Sequence, residues 1–79
     1  MFMGTRQDKL TVQENIKTLW SKGIVDKYRL GFALLNIAFQ LQDMKCKPDL
    51  IKEFRRYAGF CIEMQPDAFR DAVINGELL

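Results

Sequence analysis

Five apolar residues, Leu30, Leu34, Ile37, Leu41 and Met44, recur at alternating spacings of four and three. This period puts all five on one side of an α-helix, whereas the two-residue period of a strand scatters them over both faces. Such a row is the seam of a helix that packs lengthwise on another helix. A second row, Tyr28, Phe32, Leu35 and Phe39, runs beside the first. The segment is therefore apolar over more than one face. A helix of that kind is either the centre of its domain or presents part of its surface to another subunit. Asp26 stands where a side-chain cap belongs, and the spacing predicts a helix over about 27–44. Gly31, Ala33 and Ala38 are small enough for another backbone to come close.

The same four-three rhythm returns in Leu50, Phe54, Tyr57, Cys61 and Met64, widened by Ile51, Ala58 and Ile62. Pro48 suits a first helical position, where its missing N–H is not needed, and Asp49 complements the positive end of the helix. These signals predict a helix over about 48–64. Gly59 in its middle marks either close packing or a local weakness. Upstream, Thr11-Val12-Gln13-Glu14 has the form of a capping box. A helix over about 12–22 follows, with Val12, Ile16, Leu19 and Trp20 on one stripe and Gly23 as its terminator. Downstream, Gln65-Pro66-Asp67 restarts the chain as a helix over about 66–75, which buries Phe69, Ala72 and Val73 and stops at Gly76.

The predicted fold is all-α. It is a small four-helix domain with short connectors, its central helices at about 27–44 and 48–64. A polar N-terminal arm, 1–10, pinned by Phe2 or Leu10, precedes a single helical domain, 11–79. At 79 residues one domain is the only sensible count, and its core is marginal for its size.

The chain has no histidine, which removes the commonest general base and the commonest metal ligand. Cys46 and Cys61 are its two cysteines. The predicted third helix separates them by roughly 20 Å along its axis. A disulfide needs Cα atoms within about 7 Å. No intrachain disulfide, no structural zinc site and no bound cofactor are expected, and a reducing, cytoplasmic setting fits. Cys61 is the one candidate nucleophile, in register with Tyr57 and Met64, where a small buried core residue is the simpler reading. Asp67 and Asp71 share a helix face at the start of the fourth helix, where acidic residues are favoured by the dipole alone. None of the five glycines forms a phosphate-cradling loop. An enzyme is not expected; one relying on Cys61 is the last alternative.

Charge narrows the partners. Twelve basic and ten acidic residues leave a net +2, which is low for a dedicated nucleic-acid binder of this size. Lys45, Lys47, Lys52, Arg55 and Arg56 nevertheless cluster around the start of the third helix. Such a cluster orients an acidic protein partner, contacts phosphates, or is a solvated helix face. The third and fourth helices superficially have a helix-turn-helix arrangement, but Asp67 and Asp71 count against base reading by the last helix. The apolar surplus of the second helix suits self-association through Leu30, Leu34, Ile37, Leu41 and Met44. Trp20, Phe60, Ile74, Leu78 and Leu79 are further candidates for exposed apolar area. No targeting signal and no membrane span is expected.

The expected function is therefore non-catalytic: a small regulatory or accessory protein that binds another protein as a homodimer. RNA or DNA binding through the basic third helix is the alternative. By general character alone, the chain suits the inhibitor and accessory proteins that phages and plasmids encode.

Overall fold

The computed structural model describes residues 6–78, which form four helices with no strand among them. They are α1 (Arg6–Ser21), α2 (Lys27–Asp43), α3 (Pro48–Glu63) and α4 (Pro66–Ile74). The domain is all-α, as expected, and α2 and α3 pack most closely. Helix α1 lies mainly on α3, and the short α4 closes the far end of α3. No helix among the described residues is long and apolar enough to cross a membrane.

Local chemistry explains the boundaries. The Asp26 carboxylate accepts from the amides of Tyr28 and Arg29, both at 3.1 Å, and so caps α2. Pro48 and Pro66 open α3 and α4. Three of the helices end in one motif, in which the amide after a left-handed residue reaches back to a carbonyl one turn earlier. Ile24 N–H donates to Leu19, Cys46 to Leu41 and Glu77 to Ala72, each at 2.9–3.0 Å. Gly23 (φ 85°) and Gly76 (φ 73°) hold the left-handed position in α1 and α4. At the end of α2 that position is held by Lys45 (φ 57°), the one non-glycine residue with positive φ among those described.

The start of α1 corrects the expected arm. The helix begins at Arg6, not near residue 12, so residues 6–10 are helical. Thr11 is inside the helix, where its hydroxyl donates to the Gln7 carbonyl at 2.9 Å, so the capping box does not form. A tertiary contact extends the helix backwards. The Asp8 carboxylate, in the first turn, is 5% exposed and accepts from Lys47 Nζ at 3.0 and 3.2 Å. Leu10 is half-buried. Residues 1–5, including Phe2 as a candidate anchor, lie outside the described residues, as does Leu79.

The core joins Val12 and Ile16 of α1, Leu30, Leu34 and Ala38 of α2, Phe54, Tyr57, Ala58 and Cys61 of α3, and Phe69 and Val73 of α4. At Gly31 helices α2 and α3 come close together. A β-carbon there would meet Ile62 Cγ1 at 2.8 Å. Gly59 has no such role, since a β-carbon there would meet nothing within 4 Å. It is a local weakness of α3 rather than a packing device.

Polar groups also enter this interior. Gln13 Nε2 donates to Tyr57 Oη at 2.9 Å, and Tyr57 Oη lies 3.4 Å from the Leu78 carbonyl. Arg56 donates to Glu53 Oε1 at 2.7 and 3.1 Å and to the Leu78 carbonyl at 3.0 Å. Its guanidinium also lies 5.3 Å from the ring centres of both Tyr57 and Phe60. No buried side-chain nitrogen or oxygen among the described residues lacks a partner.

Candidate interaction surfaces

The two apolar rows of α2 go to opposite fates. Leu30 and Leu34 are fully buried against the chain's own helices, and Ile37 and Leu41 pack partly buried against the same core. These four positions are not an open face, which corrects their expected role in self-association; of that row Met44 alone is exposed. The neighbouring row points outwards. Tyr28 is 53% exposed, Phe32 59% and Phe39 56%, while Leu35 is half-buried at its edge. The row shares the outer side of α2 with Arg29, Asn36, Gln40 and Asp43, all exposed. Such exposure of aromatic rings along one helix is costly in water and usually marks an interaction site.

The split follows from how few helices there are to cover α2. A helix surrounded on all sides needs more neighbours than two long helices and one short one supply. The γ-branched leucines and Ala38 fill the narrow seam opened by Gly31, and the larger rings stay outside. Outside this row, Val25 and Ile74 are also exposed, whereas Trp20, Phe60 and Leu78 are half-buried. Arg70 covers the Trp20 ring at 5.7 Å.

The basic cluster divides as well. Lys47 is drawn to Asp8, and Arg56 is fastened to Glu53 and Leu78, so both serve the fold. Lys45, Lys52 and Arg55 remain exposed and line a shallow groove of about 480 Å³ at the junction of α2 and α3. Gln42, Cys46, Pro48 and Ile51 complete its lining. Arg55 donates to Gln42 Oε1 at 2.8 Å, and its guanidinium lies 5.9 Å from the centre of the Phe39 ring. It thus links the groove to the aromatic row. Sequence reasoning identified the cations but not this grouping, because the turn at Lys45 decides which of them converge.

A second, smaller hollow of about 240 Å³ lies among Trp20, Val25, Leu30, Cys61, Phe69 and the charged rim of Lys27, Asp67 and Arg70. The Cys61 thiol reaches it, but that thiol is 1% exposed and donates to the Lys27 carbonyl at 3.3 Å. Burial, with the nearby Asp26 carboxylate, pushes its pKa up to about 11. A nucleophilic cysteine needs the opposite shift. Cys61 is a core residue. Asp67 and Asp71 are both exposed on α4. Among the described residues no three His, Cys, Asp or Glu side chains are grouped to hold a metal ion.

Comparison with known protein families, curated proteins and solved structures gives no match.

Proposed function

We propose that this chain is a non-catalytic protein-binding module that acts as a homodimer built on the outer face of α2. The exposure of Tyr28, Phe32 and Phe39 in one row is the observation that carries this reading. The occupant that fits the row best is a second copy of it. In an antiparallel pairing about a two-fold axis beside Asn36, Phe32 of each copy opposes Phe39 of the other. The same pairing brings Arg29 of each copy towards Asp43 of the other and sets the two Asn36 side chains together at the axis. A two-fold interface repeats every such contact, so one favourable charge pair becomes two. A parallel pairing sets Arg29 against Arg29 and Asp43 against Asp43, and like-charge juxtaposition selects against it. The aromatic rings supply the affinity, and the charges fix the direction.

The experiment is the absolute solution mass by light scattering across a concentration series, under reducing conditions. The expected result is a dimer. Phe32→Glu with Phe39→Glu should give a monomer of unchanged helicity by circular dichroism, because both rings are outside the core. Arg29→Asp should weaken the dimer, and adding Asp43→Arg should restore it. A wild-type monomer at every concentration, or a double glutamate variant as dimeric as its parent, rejects the reading.

A further inference from the structure

We propose that the groove between the end of α2 and the start of α3 binds an acidic segment of another protein, with Lys45, Lys52 and Arg55 taking its carboxylates and Pro48 and Ile51 its apolar side chain. The lining holds three cations and no acidic residue. Neither Lys45 nor Lys52 takes part in an ion pair among the described residues. Arg55 is held in place by Gln42 and Phe39, so little side-chain freedom is lost when it meets a carboxylate. Its planar fork matches a carboxylate with two parallel hydrogen bonds.

Helices α1 and α4 end in the same motif with glycine at the left-handed position, and α2 ends with Lys45 at φ 57°. A side chain there is strained, and glycine relieves the strain without changing the turn. Strain that the fold does not require is consistent with a requirement for the side chain itself. Here it sets an ammonium on the rim of the groove. Pro48 and Ile51 suit an aliphatic side chain flanked by carboxylates, whereas single-stranded nucleic acid stacks its bases chiefly on aromatic rings, and the groove lining has none. The field is also narrow: Asp43 and Asp49 flank the groove in sequence, and the chain carries a net charge of only +2. Backbone binding of nucleic acid draws on a wider array of cations.

The test is fluorescence anisotropy with a fluorescein-labelled peptide of Glu and Asp around a central Leu, against the full chain. A peptide with Gln and Asn in place of the acids, and a charge-matched oligo(dT), are the comparisons. Saturable binding of the acidic peptide that weakens as salt is added, with the amide peptide and the oligonucleotide binding far less, is the expected result. Lys45→Glu with Lys52→Glu should weaken it at least about tenfold. Neither position is on the outer face of α2, so the solution mass should be unchanged and the two proposals fail or stand separately. Lys45→Gly should raise the melting temperature while weakening the peptide. The acidic peptide should also slow modification of Cys46, which lines the groove. Absence of saturable binding, equal binding by the double glutamate variant, or tighter binding of oligo(dT) overturns the proposal.

Discussion

Gly31 of α2 faces Ile62 of α3 so closely that a β-carbon at position 31 would stand 2.8 Å from Ile62 Cγ1 and 3.0 Å from its Cδ1. The approach sets the spacing of the two central helices and thereby the depth at which Leu30 and Leu34 are buried. Two opposing effects act on Gly31→Ala. The helix gains about 1 kcal/mol from the better helix former, and the Ile62 side chain must move. Ile62 is half-buried, so its end has somewhere to go. The expected net change is small, within about 1 kcal/mol. The pair is better read as a cycle. In an Ile62→Ala background the clash is gone, and Gly31→Ala should stabilise by about 1 kcal/mol relative to Ile62→Ala alone. Denaturant titration followed by the single Trp20 measures all four corners; zero coupling would mean the close approach is unimportant.

Gly59 is the counterpart of Gly31. It is helical, and a β-carbon there meets nothing within 4 Å. Gly59→Ala should therefore stabilise by about 1 kcal/mol without any compensating change. A loss of stability in the same titration would show that some neighbour needs the empty space.

The hydrogen bond from Gln13 Nε2 to Tyr57 Oη joins α1 to α3 at 2.9 Å inside the core. Burial raises the Tyr57 pKa, while donation from Gln13 and the Arg56 charge pull it back. Tyr57→Phe keeps the ring and removes the acceptor, leaving a nearly buried amide without its partner. A cost of about 1–3 kcal/mol is expected. Adding Gln13→Met, which removes the orphaned amide as well, should recover much of that loss. Equal losses in the single and double variants would show that the orphaned amide carries no penalty of its own.

Residues 28–64 show why the fold was legible and the surfaces were less so. Helical period, Asp26, Pro48 and Gly23 act within one turn of chain, and α2 to α4 fall close to their expected bounds. Residues 6–10 failed for the opposite reason: Asp8 is held by Lys47, far away in sequence, and Thr11-x-x-Glu14 mimics a cap inside a helix. Both rows of α2 were visible as apolar, but periodicity alone does not say which row meets α3. Gly31, beside Leu30 and close to Ile62, lies on the side that does. In the basic cluster, helical spacing already sets Arg56 rather than Arg55 beside Glu53, three positions before it, but the Leu78 carbonyl that fastens Arg56 and the Gln42 amide that holds Arg55 are distant in sequence and only the fold brings them in.

Asp8 allows a local test of the corrected α1. Its carboxylate is in the first turn, where negative charge complements the helix dipole, and it accepts from Lys47. Asp8→Ala should lose both effects, about 1 kcal/mol in sum, and should do so locally. Amide hydrogen exchange should quicken at Lys9 and Leu10 while the Ile16 amide stays protected. Unchanged exchange at the start of α1 would mean that the ion pair does not hold the first turns.

Cys46 is partly exposed in the groove and Cys61 is buried, its pKa pushed up to about 11. A thiol reagent at mildly alkaline pH should modify Cys46 readily and reach Cys61 only as the chain unfolds. The shift also fixes a pH dependence. A group whose folded pKa is raised binds its proton more tightly when folded, so its stabilisation is complete below the unfolded value of about 9 and is lost towards about 11. Tyr57, also raised, acts in the same direction from a starting value of 10.0. Stability measured by denaturant should therefore fall as pH rises from about 9 to about 11. Cys61→Ala should be less stable at neutral pH, through the lost packing, but should flatten that alkaline fall. A variant as steep as the parent would leave Tyr57 alone responsible, and rapid labelling of Cys61 in the folded chain would reverse its placement as a core residue.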